Sequence, residues 1–173
     1  MALTIIKNII RIAFLILLQI LVVNRMQAFD GLVLPMVYIF GVLMLPFETP
    51  RWLVLVIGFV VGWVMDLFSG PPGLHTSATL FLAFLQPVIQ KIFSPREGYE
   101  VTQRPTVQSM GLPWYLTYAG ILTFAHHFWL FFMEVFRFSD FFYQMLHIIA
   151  STVATLLLMT IGQYLIYTSK NSN

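Results

Sequence analysis

The chain has 173 residues, of which 59% are apolar and 9% are charged, and its mean hydropathy is +0.85. Soluble domains usually carry about a quarter charged residues, so this chain cannot cover its surface with polar groups and we expect lipid to be its solvent. The absence of cysteine excludes disulfides, thiolate metal sites and a cysteine nucleophile, and a net charge of +2 does not favour nucleic-acid binding.

The first two apolar stretches differ in whether they are long enough to cross a membrane as a helix. A span needs about 20 apolar residues, and the first candidate covers about 9–23, after Lys7 and Arg11. No small-x-small cleavage site follows Val23, so an uncleaved anchor is favoured over a secretory signal. The second candidate, about 32–45, is short for a helix that rises 1.5 Å per residue, and a re-entrant or tilted segment is the alternative to a crossing.

Four more apolar stretches follow, and the fourth span of the chain contains Pro87, which predicts a kink or the end of its regular helix. The polar stretch 94–111 is predicted to be a soluble loop. The sequence therefore predicts one domain over 1–173, an all-α integral membrane protein with six transmembrane helices in one bundle. The four later spans are about 52–68, 74–93, 112–132 and 141–167.

The distribution of lysine and arginine predicts the orientation. With six spans and a cytoplasmic amino end, seven of the nine cations lie on one side, and only Arg25 and Arg137 lie on the other. Cytoplasmic loops carry an excess of these residues, so we expect both termini and the loop 94–111 to be cytoplasmic. If the short second span did not cross the membrane, lysine and arginine would no longer be concentrated on one side. This is an argument that the second span crosses.

The most specific pattern is a hairpin between the third and fourth spans. Steps of four residues advance about 40° around a helix, so Gly58, Gly62 and Asp66 lie along one tract. A loop ending at Gly73 follows, and His75 opens the next helix. The two glycines favour close helix packing, either inside the chain or against a partner helix. Asp66 either caps the hairpin by accepting hydrogen bonds from the loop backbone or contacts a partner or ligand.

A second group of polar residues is expected near the external surface. Glu134 and Arg137 are three residues apart and can pair on one helix, with His147 on the following helix. His127 and Glu134 share a helix face but lie about 10 Å apart, too far to hold one metal ion together, so no metal site is predicted. His126 and His127 are instead expected to be hydrogen-bonded histidines at the external interface. No nucleophile-and-base pattern appears, so neither catalytic residues nor an enzyme are predicted. The aromatic run over 124–142 faces either lipid or another transmembrane helix.

The hairpin resembles the MreD family, integral membrane proteins of the bacterial rod-shape (elongation) complex. The similarity lies in Gly58, Gly62 and Asp66, in the loop 69–75, and in the small-residue helix that runs to Pro87. It implies a six-helix bundle like the substrate-binding components of energy-coupling vitamin transporters. It also implies a non-catalytic scaffold of the bacterial inner membrane without a cofactor, which binds MreC and helps couple MreB filaments to RodA and its penicillin-binding transpeptidase partner.

The alternative function comes from another class of protein, the substrate-binding membrane subunit of a vitamin-type transporter. Such a subunit needs a polar pocket that opens outward. In this sequence the pocket would be built from Asp66, His75, Glu134 and His147.

Overall fold

A computed structural model of the chain describes residues 2–25, 31–100, 103–135 and 141–171. Every regular element in these ranges is helical, which confirms the all-α prediction. The 3₁₀ turns are Val23–Arg25 and Val37–Ile39, and the α-helices are α1 (Ala2–Leu21), α2 (Phe40–Leu43), α3 (Arg51–Asp66), α4 (Leu74–Ile92), α5 (Val107–Met110), α6 (Leu112–Val135) and α7 (Phe141–Asn171).

Three helical stretches in the described ranges are long and apolar enough to cross a membrane: Ile5–Arg25, Leu112–Glu134 and Phe141–Leu165. Two further helices, α3 and α4, form the predicted hairpin and have 16 and 19 residues. The regular part of α4 runs through Pro87 and does not end there.

The second predicted span does not form one helix. Between residues 33 and 45 the chain contains only the 3₁₀ turn and the four-residue α2, and we call this stretch the broken segment. Two prolines explain the difference. Pro35 has no amide hydrogen and disfavours helix at the residue before it, and Pro46 does the same to Leu45. Only the few residues between them can take helical dihedrals.

Side chains from the neighbouring helices satisfy the backbone of the broken segment. At its start, three amides donate to side-chain oxygens of α1 and α7. These bonds run from Leu34 to Ser151 Oγ (3.0 Å), from Met36 to Thr155 Oγ1 (3.0 Å) and from Val37 to Gln19 Oε1 (2.7 Å). Because unpaired backbone groups are costly to bury, these three side chains stabilise a non-helical path through the interior.

The end of the broken segment is held in the same way through its carbonyl groups. Arg11 Nη2 donates to the carbonyl of Met44 at 3.0 Å, and a cation is favourable at the carboxyl end of a helix. Two more carbonyls are satisfied from α4 and α6, by Gln86 Nε2 donating to Val42 (3.3 Å) and by Tyr118 OH donating to Leu43 (3.0 Å). The broken segment is therefore the centre of the bundle, with Tyr38, Ile39 and Val42 fully buried.

Loop contacts show which elements meet at each end of the bundle. At one end Phe47 stacks on Tyr99, with ring centroids 3.8 Å apart, and Trp114 at the start of α6 meets Phe47 edge-on. At the other end Asn24, just after α1, donates to Ser69 Oγ, just after α3, at 2.8 Å. Thus α1 and α3 finish at the same end of the bundle, opposite the aromatic cluster.

Candidate functional site

The two glycines of the hairpin face α4. A Cβ added to Gly58 would lie 2.7 Å from the Cβ of Ala83, and one added to Gly62 would lie 2.6 Å from the carbonyl oxygen of His75 and the Cα of Thr76. Real Cβ atoms do not approach other atoms so closely, so both glycines are needed for α3 and α4 to pack at this distance. Their role in this structure is packing inside the hairpin.

Asp66 is buried at the end of α3 and caps the start of α4. Its Oδ2 accepts from the amides of Gly73 (2.8 Å) and Thr76 (3.1 Å) and from the Thr76 hydroxyl, while Oδ1 accepts from the amide of His75 (2.8 Å). The first amides of a helix have no partner within the helix, and an acceptor there is worth about 0.5–2 kcal/mol. Both carboxylate oxygens are thus occupied by the chain itself, by the first turn of α4 as well as by the loop.

A buried polar cluster lies next to the hairpin and joins three elements. The hydroxyl of Tyr38, on the broken segment, is 3.1 Å from His75 Nδ1, 3.3 Å from Thr79 Oγ1 and 2.8 Å from His126 Nε2 on α6. A phenol has one proton to donate, so at least one of the two histidines must donate its own ring hydrogen to the Tyr38 oxygen. The cluster therefore fixes the position of the broken segment between α4 and α6.

The neighbouring histidine extends these contacts to α7. His127 Nδ1 lies 2.8 Å from the carbonyl of Thr123, one turn earlier, and Nε2 lies 3.2 Å from Thr155 Oγ1. Thr155 is also the acceptor for an amide of the broken segment. Sequence reasoning placed His126 and His127 at the external interface and did not single out Tyr38, whereas the structure buries all three completely.

The predicted external polar cluster lies only partly within the described residues. Arg137 lies outside them, Glu134 is exposed, and no hydrogen bond or ion pair joins Glu134 to His147 within the described ranges. His147 instead stacks on Phe131, with ring centroids 4.1 Å apart. The described part of the chain holds no group of three histidine, aspartate or glutamate side chains that could bind a metal ion.

These observations define an all-helical protein with three candidate membrane-spanning helices and a capped, glycine-packed hairpin. No family model matches the chain, and no curated protein or solved structure matches it either. Any functional assignment must therefore come from the residues themselves.

Removing the hydroxyl of Tyr38 tests the buried cluster. We expect Tyr38→Phe to lower the free energy of unfolding by about 2 kcal/mol, because it leaves ring nitrogens of His75 and His126 buried without a partner. The measurement is unfolding by sodium dodecyl sulfate in mixed micelles, followed by tryptophan fluorescence. Tyr143→Phe is the matched control, since Tyr143 is exposed and should lose little. Equal effects of the two variants would contradict the role of the cluster.

Proposed function

We propose that this protein is a non-catalytic scaffold of the bacterial inner membrane with the role of the MreD family. In this proposal it binds MreC and helps couple MreB filaments to RodA and its penicillin-binding transpeptidase partner. The observation that carries the proposal is the hairpin of α3 and α4. Its specified residues, Gly58, Gly62 and Asp66, are all used for internal packing and capping, which leaves a closely packed pair of helices with an apolar outer face.

The proposal includes six crossings, with both termini in the cytoplasm. The broken segment supports this count, because non-helical chain rises up to about 3.3 Å per residue and reaches further than a helix of the same length. Irregular backbone is tolerated at membrane depth only where protein surrounds it, as it does here. The excess of lysine and arginine on one side supports the orientation.

The outer face of the hairpin is the surface that we assign to the partner. Trp52 is 66% exposed and Trp63 is 52% exposed on α3, and Phe84 is 61% exposed on α4. Between Trp63 and Leu80 a groove of about 390 Å³ runs past the capped end of the hairpin. Large aromatic side chains beside a groove suit the packing of one more transmembrane helix, and MreC has a single span in the family that the hairpin resembles.

The transporter alternative receives less support from the geometry. A substrate subunit would need free polar groups that converge on a chamber. Both oxygens of Asp66 are occupied by α4 and its loop, and His75 Nδ1 is engaged by Tyr38. The groove beside Asp66 is lined mainly by apolar side chains, among them Phe59, Trp63 and Leu67.

Crosslinking between single cysteines tests the partner surface. The chain has no native cysteine, so each introduced thiol reports on one position without background. We expect cysteines at Phe59 and Trp63 to form disulfides with single cysteines along the span of MreC in membranes, several-fold more than a cysteine at Ile10 on the exposed side of α1. Phe124 on α6 represents the competing aromatic face.

The outcomes separate the possible surfaces. Crosslinks confined to α3 support the proposed face, and crosslinks confined to Phe124 would move the interface to α6. Equal crosslinking at Ile10 and Trp63 would mean random collision in the bilayer. If no outward position formed a crosslink, a single-span partner of this kind would be ruled out.

A further inference from the structure

The groove on the outer face of the hairpin is apolar along most of its length and has one charged group at its end. Phe59, Trp63 and Leu80 line the apolar part, and Asp66 lines the end next to the loop. Phe59 and Asp66 lie about two helical turns apart on α3. In the proposed orientation the loop end is external, so a helix packed in this groove would bring its own external end to the Asp66 carboxylate.

The Asp66 side chain has the surroundings of an ionised carboxylate. Its hydrogen-bond partners among the described residues are four donors, the amides of Gly73, His75 and Thr76 and the hydroxyl of Thr76. An ionised carboxylate only accepts hydrogen bonds, which matches this set. Within the described ranges no lysine, arginine or histidine side chain forms an ion pair with it. The negative charge at the end of the groove therefore has no counterion from this part of the chain.

The two helix ends at this point do not compensate the charge of Asp66. The last turn of α3 contains no basic residue, and the first turn of α4 contains no acidic one. A helix carries about half a negative charge at its carboxyl end and about half a positive charge at its amino end, so the two ends of the hairpin largely cancel each other. The charge of the carboxylate remains.

Trp63 adds a second group that attracts a cation. It lies three residues before Asp66, so the two side chains are neighbours on one face of α3, and it is 52% exposed. The face of a tryptophan ring attracts a positive charge. The hydroxyl hydrogens of Thr76 and Ser77, which also line the groove, are used by Asp66 and by the Leu74 carbonyl. This end of the groove thus presents a negative charge and an aromatic face together.

We propose that the groove binds a transmembrane helix that carries one lysine or arginine near its external end. The cation would lie between the Asp66 carboxylate and the Trp63 ring, and the apolar part of the helix would pack along Phe59 and Leu80. This inference rests on the proposed partner surface and adds the chemistry of the partner to it. Long basic side chains near the end of a span reach the interface, so a partner helix can carry one there.

The length of the apolar surface favours a helix over the amine of a lipid headgroup. Trp52 and Phe59 continue the exposed face of α3 from the groove towards the cytoplasmic end. A partner helix can cover this whole face and reach Asp66 at the same time. A headgroup amine would meet only the charged end of the groove, and it is an alternative that the experiment separates.

Synthetic transmembrane peptides test the inference with the full chain in vesicles of phosphatidylglycerol, whose headgroup has no amine. Each peptide is a leucine–alanine helix with lysine, glutamine or glutamate at one position near its external end. A cysteine lies two turns from that position, which matches the separation of Phe59 from Asp66. The readout is the yield of the disulfide with a Phe59→Cys chain. We expect the lysine peptide to give about five times the yield of the glutamine peptide, and the glutamate peptide the lowest yield.

Two variants assign this preference to its residues. Asp66→Asn and Trp63→Leu should each lower the ratio of lysine to glutamine yields to about two. Glu134→Gln is the control for general charge, since Glu134 is an exposed carboxylate at the end of α6, and Trp52→Leu is the control for an exposed tryptophan elsewhere on α3. Both controls should keep the wild-type ratio. Because each ratio is taken within one variant, a smaller folded fraction cancels out of it.

Four results would overturn the inference. The first is no disulfide with any peptide, which would mean that the groove takes no helix. The second is equal yields of the lysine and glutamine peptides with the wild-type chain. The third is an equal fall of the ratio in Glu134→Gln and Asp66→Asn, which would mean general attraction to negative charge. The fourth is loss of the preference when phosphatidylethanolamine is added, which would make a lipid amine the cation at Asp66.

The peptides also separate this inference from the proposed function. A lysine preference that depends on Asp66, found together with no crosslink to MreC, would support the cation-binding groove and remove MreC as its occupant. Crosslinks from MreC to α3, found together with equal yields of the lysine and glutamine peptides, would keep the partner surface and overturn the role of the cation.

Discussion

Replacing Gly62 with alanine is expected to lower the free energy of unfolding by about 3 kcal/mol, the upper part of the range for overpacking a well-packed interior. The new methyl group would lie 2.6 Å from the carbonyl oxygen of His75 and from the Cα of Thr76. These are backbone atoms that cannot rotate away, so α3 and α4 must move apart along the hairpin. Unfolding by sodium dodecyl sulfate in mixed micelles, followed by tryptophan fluorescence, measures the loss.

Two other helical glycines provide the control. A Cβ at Gly120 would come no closer than 3.8 Å to Leu156, and one at Gly162 would meet nothing within 4 Å. Alanine stabilises a helix by about 1 kcal/mol relative to glycine in soluble hosts, so Gly120→Ala and Gly162→Ala should be neutral or slightly stabilising. If Gly62→Ala behaved like these two variants, close packing of the hairpin would not contribute to stability.

The hairpin was the most predictable part of the molecule, because its pattern is local. Gly58, Gly62 and Asp66 repeat every four residues, and helix geometry alone places such residues on one tract. In the structure the two glycines face α4, and Asp66 reaches the amides at the start of that helix. The sequence alone could not show whether the two glycines pack inside the chain or against a partner helix, because both kinds of close helix contact produce the same glycine pattern.

The broken segment was less predictable, although part of its cause stands in the sequence. Pro35 and Pro46 bound the stretch that can form a helix, but hydropathy counts apolar residues and gives little weight to these two positions. Two of the three side chains that make a non-helical path possible, Ser151 and Thr155, lie 117 and 119 residues from the amides they bind. No local pattern predicts contacts at that separation, because they depend on the docking of α7.

The buried cluster around Tyr38 was missed for a related reason. His126 lies on α6, which is apolar around its whole circumference, so hydrophobic periodicity does not indicate which side of the helix faces the core. Histidine at a membrane interface was the simpler interpretation of the sequence. Only the placement of Tyr38 between α4 and α6 shows that His75 and His126 share one hydroxyl group.

Asp66→Ala is expected to lower the free energy of unfolding by about 3 kcal/mol, more than the loss of an ordinary helix cap. The carboxylate accepts from the amides of Gly73, His75 and Thr76, and the variant leaves all three without a partner at the buried start of α4. Unfolding in mixed micelles measures the effect. Glu97→Ala is the control, since Glu97 is an exposed carboxylate whose removal should cost little.

Asp66→Asn separates capping from a role of the negative charge. An asparagine oxygen can replace Oδ2 and keep the bonds from Gly73 and Thr76, but its amide nitrogen then faces the amide hydrogen of His75, so we expect an intermediate loss of stability. If capping is the whole role, crosslinking to the proposed partner MreC should fall only in proportion to the folded fraction of each variant. A complete loss of crosslinking in a fully folded Asp66→Asn variant would instead mean that the charge itself contacts the partner, and the hairpin acid would then belong to the binding surface.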